Sequence, residues 1–350
     1  MILDAHCDAP SQMLRLRDFG IDNPWAQVDF PKMKRGGVDA SFFALYVPAS
    51  LHGADATSYA RKLLSEVKRQ VAANQSCVAF AASKEDVQKN KDNGLISILL
   101  GIENASALGE DLNLLEYFYS EGVRYVTLTH SQDNAVGDSC TGNGHWGGLS
   151  PFGRELVKEM NDIGMLIDLA HSADSTIGDV LSLSYRPVVY THGCCRTLCS
   201  HRRNLSDALI KGIAESGGVV GMSIYPCFLS DDFNKCLDES GLLENDDVEK
   251  AFIEDPSDKE KAMAWRKVQE DLASLPRPGV DVVVSHIRHA VEVAGPDHVG
   301  IGTDYDGIEV TAMGLEDVSS LHSVFDEMKR QGFSQSVTEK VSGLNFLRLL

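Results

Sequence analysis

Apolar residues along the chain form short continuous runs that are separated by longer amphipathic stretches. Continuous apolar runs are typical of parallel strands buried on both faces, because neither face of such a strand meets water. The stretches between the runs, of which Thr57–Ala73 is the clearest, carry apolar residues at helical spacing. The runs predict eight strands: Ile2–His6, Ala40–Val47, Leu95–Glu103, Val123–His130, Met165–His171, Pro187–His192, Gly218–Tyr225 and Val299–Asp304.

Further helices are predicted between these strands. Ser150 followed by Pro151 is a typical helix start, with an N-cap residue and proline in the first turn. Similar amphipathic patterns cover Ser206–Glu215, Ile287–Val293 and Leu321–Arg330. Strand and helix repeated eight times favour a (β/α)₈ TIM barrel over an open doubly wound sheet.

One segment interrupts this alternation. Pro226–Val280 is acidic and polar, and it lies between the seventh strand and the helix before the eighth. We predict a single barrel domain over residues 1–350, with an insertion at about 226–280 in the seventh βα loop and a helix near Asp258–Leu275. Barrels of this kind range from ~250 to more than 400 residues, and inserted loops on this face often cover an active site.

Composition bears on the partners and the location of the protein. The chain has 32 Lys and Arg against 51 Asp and Glu, a formal charge of −19, and such a surface repels phosphate backbones. We therefore expect no nucleic acid partner. No run approaches the ~18 apolar residues of a membrane span, so we expect no membrane partner either. The start MILDAHCDAP lacks the features of a signal peptide, which predicts a cytoplasmic protein, with a trimmed signal peptide as the alternative.

The eight cysteines are interpreted as reduced thiols. A core of this size needs no disulfides, and the chain has no CxxC pair that would indicate a thiolate zinc site. Cys7 lies between His6 and Asp8 but faces the opposite side of a strand, which predicts a packing role. Contact of Cys194 or Cys195 with a metal is the alternative that remains.

Imidazole and carboxylate side chains stand at the C-terminal ends of six predicted strands. These ends converge on one mouth of a barrel, where the active sites of this fold lie. Unpaired charge at a buried rim is costly, and such a mixture of nitrogen and oxygen ligands is typical of a metal site. The residues are His6, Asp8, Glu103, His130, His171, His192 and Asp304.

The spacing of His6 and Asp8 suits a shared metal, because residues i and i+2 of a strand point to the same side. The pattern HxD is short, and its position at the end of the first strand gives it its weight. A dehydrogenase is not supported, since no GxGxxG turn follows a strand.

The chain resembles the membrane dipeptidase (renal dipeptidase) family of zinc metallopeptidases, within the amidohydrolase-type barrels, and in particular its soluble bacterial-type members. The resemblance covers nearly the whole chain, and the order and spacing of the matching stretches make it specific. Residues 226–280 are covered least. The matching stretches are Asp4–Asp8, Gly101–Glu103, Tyr125–Ser131, Leu149–Gly153, Ile167–His171, Arg202–Asn204, Gly302–Gly307 and Gly314–Ser319.

The resemblance implies two zinc ions per chain. His6 and Asp8 would hold one ion, His171 and His192 would hold the second, and Glu103 would bridge the two. Such a pair lowers the pKa of a water molecule between the ions and supplies hydroxide near neutral pH.

The resemblance also implies the roles of residues around the metals. Asp304 would be the proton shuttle, and His130 would face the substrate and stabilise the oxyanion, so that both are catalytic together with Glu103. Arg203 would bind the substrate carboxylate or the developing oxyanion, and a guanidinium can bind a carboxylate through two hydrogen bonds. Tyr225 is a candidate for lining the substrate site. From the residues alone, a surface salt bridge for Arg203 and a packing role for Tyr225 stay open.

The implied activity is that of a binuclear zinc dipeptidase acting on short peptides with a free C-terminus. Tolerance of a D-residue at the C-terminal position and a homodimeric state are expected with it. Two alternatives stay open: an amidohydrolase acting on another small amide, such as an N-acyl amino acid or a lactam, and a non-catalytic metal-binding barrel. A dipeptide profile separates the dipeptidase from the other amidohydrolase, and a zinc analysis tests the non-catalytic barrel.

Overall fold

A computed structural model describes residues 1–242 and 246–350 and shows a nearly closed barrel of parallel strands. Eight strands follow one another in the order β1-β2-β4-β5-β6-β7-β8-β9, and β3 pairs with β4 outside this path. The strands are β1 (Leu3–Cys7), β2 (Ala40–Tyr46), β3 (Val78–Phe80), β4 (Ile96–Glu103), β5 (Val123–Thr127), β6 (Leu166–Asp168), β7 (Val189–Gly193), β8 (Val219–Met222) and β9 (Val299–Ile301).

Backbone hydrogen bonds between β1 and the chain after β9 bring the two ends of the sheet together. The amide of Asp304 donates to the carbonyl of His6 at 3.0 Å, and the amide of Asp8 donates to the carbonyl of Tyr305 at 2.8 Å. All strand pairs in the sheet are parallel. The predicted (β/α)₈ barrel is therefore confirmed.

Helices connect the strands, and their apolar faces join the strands in one large hydrophobic core. Among the described residues, the helices all fall short of the length and apolarity that a membrane span requires. The α-helices are α1 (Ala9–Leu14), α2 (Phe30–Arg35), α3 (Gly53–Ala73), α4 (Lys84–Asp92), α5 (Leu112–Ser120), α6 (Pro151–Ile163), α7 (Asp174–Leu183), α8 (Asp207–Glu215), α9 (Pro226–Leu229), α10 (Asp231–Ser240), α11 (Asp246–Glu254), α12 (Lys259–Ser274), α13 (Val280–Ala294), α14 (His322–Arg330), α15 (Gln335–Glu339) and α16 (Asn345–Leu347). Short 3₁₀ helices cover Ala105–Leu108 and Val318–Ser320, and a π-helical turn covers Lys340–Leu344.

Helix α6 begins as its sequence predicts. The Ser150 side chain accepts a hydrogen bond from the amide of Gly153 at 2.9 Å, and Pro151 occupies the first turn. The helix ends at Gly164, which has a left-handed φ of 80°. This pairing of a serine N-cap with a C-terminal glycine satisfies backbone groups at both ends.

The predicted insertion contains four helices, α9 to α12, while its residues 243–245 lie outside the described part of the chain. The helix expected near Asp258–Leu275 is α12, and Asp258 caps it by accepting from the amides of Glu260 and Lys261. The assignment of about 226–280 as an insertion in a single domain stays a prediction.

Four strands end three residues earlier than the sequence predicts. β5, β6, β8 and β9 stop at Thr127, Asp168, Met222 and Ile301, each three residues before the predicted end. His171 and Asp304 both have φ of +67°, a left-handed conformation that cannot continue a strand. The predicted site residues on these strands therefore lie in the turns that follow them. β3 was not predicted.

A second hydrophobic cluster fills the inside of the barrel. It includes Leu3, Phe42, Leu99, Tyr125 and, from α16, Phe346. Gly101 makes room for the ring of Tyr125, since a Cβ at this glycine would lie 2.1 Å from the Tyr125 Cζ atom. The close approach places a large phenol beneath the barrel mouth.

Candidate metal centre

The seven imidazole and carboxylate residues predicted from the strand ends converge at the barrel mouth. Glu103, the last residue of β4, lies between two groups of them. Its Oε2 atom is 3.6 Å from His6 Nε2, while its Oε1 atom is 2.9 Å from His171 Nε2 and 3.6 Å from His192 Nε2. We call the first group, His6, Asp8 and Asp304, the β1 side, and the second, His130, His171 and His192, the β7 side.

The β1 side combines one imidazole with two carboxyl groups. His6 Nε2 is 3.4 Å from Asp8 Oδ2 and 3.8 Å from Asp304 Oδ1. The ligand atoms of His6, Asp8 and Glu103 all lie within 4.8 Å of one another, and all three residues are buried. The spacing predicted to suit one metal is therefore present.

The β7 side consists of imidazoles. The Nε2 atoms of His171 and His192 are 3.0 Å apart. His130 Nε2 lies 4.0 Å from Glu103 Oε1, and the His130 ring is 4.1 Å from the ring of His171. His130 is half-buried, at the edge of the cluster.

The cluster fits a pair of metal ions. His6 Nε2 and Asp8 Oδ1 are buried without a hydrogen-bond partner among the described residues, and such atoms are rare in folded proteins. Imidazole nitrogens and carboxylate oxygens are typical ligands of zinc. The Nε2 atom of His6 faces carboxylate oxygens of Asp8, Glu103 and Asp304, as expected if an ion is its missing partner.

Burial, together with nearby negative charge, raises the pKa of the two carboxyl groups on the β1 side. Burial raises the pKa of Asp8 to about 6, with a further contribution from the charge of Glu103. Burial raises the pKa of Asp304 to about 8, against the charge of His6 and with those of Asp8 and Glu103. For Glu103 itself, burial is outweighed by the charge of His6 and the hydrogen bond from His171, and its pKa lies well below its usual range.

The β7 side has the opposite electrostatics. Burial lowers the pKa of both His171 and His192 well below the usual value, and the charge of Arg203 acts in the same direction on each. Both imidazoles are therefore neutral, which is the form that binds a metal.

The outer nitrogens of two histidines make hydrogen bonds that the sequence analysis did not assign. His6 Nδ1 is 2.9 Å from the hydroxyl of Tyr125, and His192 Nδ1 is 2.9 Å from the hydroxyl of Thr191. Such contacts orient a metal-binding imidazole. Tyr125 lies in one of the matching stretches, and its inward position on a barrel strand was the available signal.

Arg203 lies in the buried part of the site. It is 4% exposed, and its Nη1 donates to the Tyr190 hydroxyl at 2.6 Å while its Nη2 donates to the His192 carbonyl at 3.3 Å. Its Nε atom has no hydrogen-bond partner among the described residues. The alternative of a surface salt bridge is therefore wrong. A buried cation that donates to neutral oxygens is suited to an anionic ligand.

Tyr225 and Arg203 both contact the ring of Phe228, which lies between them. The Tyr225 hydroxyl donates to Glu309 Oε2 at 3.0 Å, and its ring centroid is 5.0 Å from that of Phe228. Phe228 in turn lies 5.2 Å from the Arg203 guanidinium. The substrate-lining role of Tyr225 stays a prediction.

The described part of the chain contains all eight cysteines, and each of them is a free thiol. Cys7 Sγ lies 3.4 Å from the Ser41 hydroxyl, as expected for a packing role. The thiols of Cys194 and Cys195 donate to the backbone carbonyls of Ser223 and His286. These contacts do not support the alternative of a cysteine bound to metal.

Residues 1–350 match the family model described as Membrane dipeptidase (Peptidase family M19). The chain belongs to this family. A Schizosaccharomyces pombe protein described as an uncharacterized dipeptidase is 30% identical over 370 residues, covering 99% of this chain and 79% of that protein.

Solved structures agree with the membrane dipeptidase assignment. The probable dipeptidase PvdM from Pseudomonas aeruginosa superimposes with a TM-score of 0.83 at 26% identity, covering 100% of this chain and 94% of that one. A metallopeptidase from Rhodobacter sphaeroides, solved with a phosphinate mimic of the dipeptide L-Ala-D-Ala, has a TM-score of 0.82 at 24% identity and covers 99% of this chain and 97% of that one; at that identity it supports the fold. The predicted family and the enzyme class, a metallo-dipeptidase, are confirmed.

Proposed function

We propose that this dipeptidase uses two zinc ions to hydrolyse short peptides with a free C-terminus, and that it tolerates a D-residue at the C-terminal position. The position of Glu103 gives the strongest support, because its two oxygens face His6 on one side and His171 and His192 on the other. One carboxylate between two sets of ligands is the arrangement that a bridged metal pair requires. When bound, the zinc pair supplies Lewis-acid activation of water and of the peptide carbonyl.

The ligands divide between the two sides of Glu103. His6 and Asp8 would hold one ion, and His171 and His192 would hold the other, with Glu103 shared. The buried, unpartnered Nε2 of His6 and Oδ1 of Asp8 support the first site. The neutral state of His171 and His192 supports the second.

Asp304 is proposed to carry the proton from the attacking water to the leaving amine. Its Oδ1 atom is 3.8 Å from His6 Nε2, so the carboxyl group lies beside the ligands of the first ion. Burial raises its pKa to about 8, and a group that titrates near neutral pH can both accept and return a proton. Its left-handed backbone is of the kind that proteins retain at functional sites.

His130 and Arg203 are proposed to contact the substrate. Burial lowers the pKa of His130, so it is a neutral imidazole that can donate a hydrogen bond to the developing oxyanion. Arg203 would bind the C-terminal carboxylate, and its unpartnered Nε atom supports this role. Tyr225 is proposed to line the site next to that carboxylate.

Tolerance of a D-residue rests on a weaker argument. The Rhodobacter sphaeroides protein that shares this fold holds a mimic of L-Ala-D-Ala. That ligand is the reason to include D-residues in the substrate panel. A homodimeric state and a cytoplasmic location are carried over from the sequence as parts of the proposal, and light scattering of the purified chain tests the first of them.

A dipeptide panel with added zinc tests the proposal. It should contain L,L- and L,D-dipeptides, their C-terminal amides and N-acyl amino acids. The Asp304→Asn variant should keep its zinc and lose about 10²–10⁴-fold in kcat, the usual size of a general acid–base contribution. Asp297→Asn is a matched control, because Asp297 is a solvent-exposed residue that pairs with Lys340.

Four results would count against the proposal. Absence of turnover for every dipeptide would overturn the activity, and turnover confined to N-acyl amino acids would move the chain to the alternative amidohydrolase. Full activity of Asp304→Asn would remove Asp304 from the mechanism. Equal rates on free acids and amides would remove the preference for a free C-terminus.

A further inference from the structure

A buried carboxylate behind the β7 side connects three strands. Asp168, the last residue of β6, is 0% exposed. Its Oδ2 atom accepts hydrogen bonds from the hydroxyls of Thr127 at 2.5 Å and Thr191 at 2.8 Å. Its Oδ1 atom accepts from the amides of Thr191 at 2.8 Å and Ala170 at 3.1 Å. Four donors from β5, β7 and the turn after β6 thus converge on one carboxylate.

The hydroxyl of Thr191 continues this network to His192. Its oxygen is 2.9 Å from His192 Nδ1. A hydroxyl carries one hydrogen, and the Thr191 hydroxyl directs its hydrogen at the Asp168 carboxylate. The same oxygen must therefore accept from His192, which requires the proton of this neutral imidazole to lie on Nδ1.

We propose that Asp168, acting through Thr191, holds His192 in the Nδ1–H tautomer and so points the lone pair of its Nε2 atom at Glu103 and His171. Asp168 and Thr191 are then positioning residues for the metal site on the β7 side. The inference rests on the proposed function, since it assumes that His192 is a zinc ligand. Hydrogen bonds behind a metal-binding imidazole fix its tautomer and raise its basicity.

A second buried aspartate, Asp4, makes a similar hydrogen-bond network that does not reach a histidine side chain. Asp4 on β1 accepts from the amide of Thr303 at 2.8 Å and from its hydroxyl at 2.7 Å. The Thr303 hydroxyl lies 3.4 Å from the carbonyl of His6. The Asp4 network ends at the backbone carbonyl of His6, whereas the Asp168 network ends at the Nδ1 atom of His192.

The β1 side has no equivalent carboxylate behind its imidazole among the contacts described. His6 Nδ1 faces the hydroxyl of Tyr125, which is a neutral partner. Tyr125 and Thr127 stand two residues apart on β5, so one inward face of a single strand supports both sides of the cluster. Within the described residues, His192 is the one imidazole of the cluster with such a charge-assisted relay.

Zinc affinity of the full chain, measured by competition with a chromophoric chelator, tests the relay without any substrate. Thr191→Val removes the hydroxyl between Asp168 and His192, and it should weaken one of the two zinc sites by about 10–100-fold. Thr191→Ser restores the hydroxyl and should bind zinc within about threefold of the unsubstituted protein. Thr127→Val is the matched control, because it removes a hydroxyl from the same carboxylate and leaves the Thr191–His192 contact intact.

The control separates positioning from stability. Thr127→Val and Thr191→Val should both lower the thermal unfolding temperature, since each leaves Asp168 with one hydrogen bond fewer. Only Thr191→Val should lower zinc affinity. Equal zinc affinities in the two variants, or failure of Thr191→Ser to restore binding, would overturn the relay.

A measurement on the unsubstituted chain keeps the inference testable if Thr191→Val does not fold. In ¹⁵N-histidine spectra of the metal-free full chain, His192 should show the Nδ1–H tautomer, with its signals assigned by their loss in His192→Gln. A proton on Nε2 would overturn the inference. Two bound zinc ions without dipeptide turnover would refute the proposed activity and leave the relay standing, whereas no zinc binding would refute both.

Discussion

The two sides of Glu103 offer different ligand groups to a metal ion. On the β1 side, Asp8 and Asp304 stand next to His6, and burial raises the pKa of these carboxyl groups to about 6 and about 8. On the β7 side, burial lowers the pKa of His171 and His192 well below the usual value. One side therefore has carboxyl groups whose ionisation is opposed by burial, and the other has neutral imidazole nitrogens.

The two sides also differ in the position of the carboxylates that would balance the charge of a metal ion. The β1 side has carboxylates among the ligand atoms themselves. The β7 side shares Glu103 and has its other carboxylate, Asp168, one hydroxyl behind His192. The two proposed zinc sites should consequently differ in affinity and in their sensitivity to distant substitutions.

Substitution of the residue common to both sides should have the largest effect. Glu103→Gln keeps the shape of the side chain and removes its charge, so both proposed zinc sites would lose a ligand. We expect zinc content to fall below one ion per chain and kcat/KM to fall by more than about 10⁴-fold. Metal analysis and a dipeptide assay measure these effects, with the exposed Glu110→Gln as control. Loss of a single ion would break the comparison, because Glu103 would then belong to one side alone.

Arg203 contacts the backbone carbonyl of His192 on the β7 side. Its substitution should show whether the substrate carboxylate binds next to this side. Arg203→Met removes the buried cation, and the lost charge-assisted hydrogen bonds should lower kcat/KM on a free dipeptide by about 10²-fold. The penalty should shrink on the peptide amide, which lacks the carboxylate. The adjacent Arg202 is exposed, so Arg202→Met is the matched control. An equal penalty on acid and amide would show that Arg203 acts on the structure of the β7 side and not on the carboxylate.

Much of this site could be predicted from the sequence. Continuous apolar runs identified the barrel strands, and residues such as Glu103 and His192 could be recognised because they end those runs. The resemblance then supplied roles for residues such as Arg203, for which the local pattern favoured an exposed ion pair. The structure shows Arg203 buried on the loop that follows β7, and no local pattern predicts that a cation on this loop will be enclosed.

The supporting contacts could not be predicted, because they depend on which residues of adjacent strands lie side by side. The pairing of Asp168 with Val189 on β7 brings the Asp168 carboxylate next to Thr191, and the pattern of apolar residues does not fix that register. The backbone of His171 is a second example. A histidine with φ of +67° is uncommon, and nothing in the surrounding sequence indicates it.

Acid should destabilise the fold through His286, a buried residue that contacts the loop after β7. His286 Nδ1 accepts from the amide of Cys195 at 3.1 Å, and its Nε2 lies 3.2 Å from the Leu229 carbonyl, so this ring must be neutral. Burial lowers its pKa to about 4, below the value of 6.5 in an unfolded chain. The unfolded state therefore binds the proton more tightly, and the stabilisation present above pH 6.5 is lost as the pH falls towards 4.

Urea unfolding of the metal-free chain measures this loss. Between pH 7 and pH 5 the free energy of unfolding should fall by about 2 kcal/mol more in the unsubstituted protein than in His286→Gln, which cannot titrate. The difference between the two proteins removes the titration of the ligand residues, which is common to both. Parallel pH dependences would show that His286 does not couple acid to the stability of the fold.

The smallest effect should come from the hydroxyl that holds Arg203 in place. The Tyr190 hydroxyl accepts from Arg203 Nη1 at 2.6 Å and donates to the Arg203 carbonyl at 2.6 Å, so it fixes both the side chain and the backbone of the same residue. Tyr190→Phe should raise KM for a free dipeptide by about fivefold and leave kcat nearly unchanged, as expected for a net hydrogen-bond contribution of about 1 kcal/mol. Tyr185→Phe, which removes a hydroxyl from an exposed tyrosine, is the control. A fall in kcat together with a loss of zinc would show that Tyr190 supports His192. Zinc binding on the β7 side would then depend on Tyr190 as well as on the hydrogen bonds to Asp168.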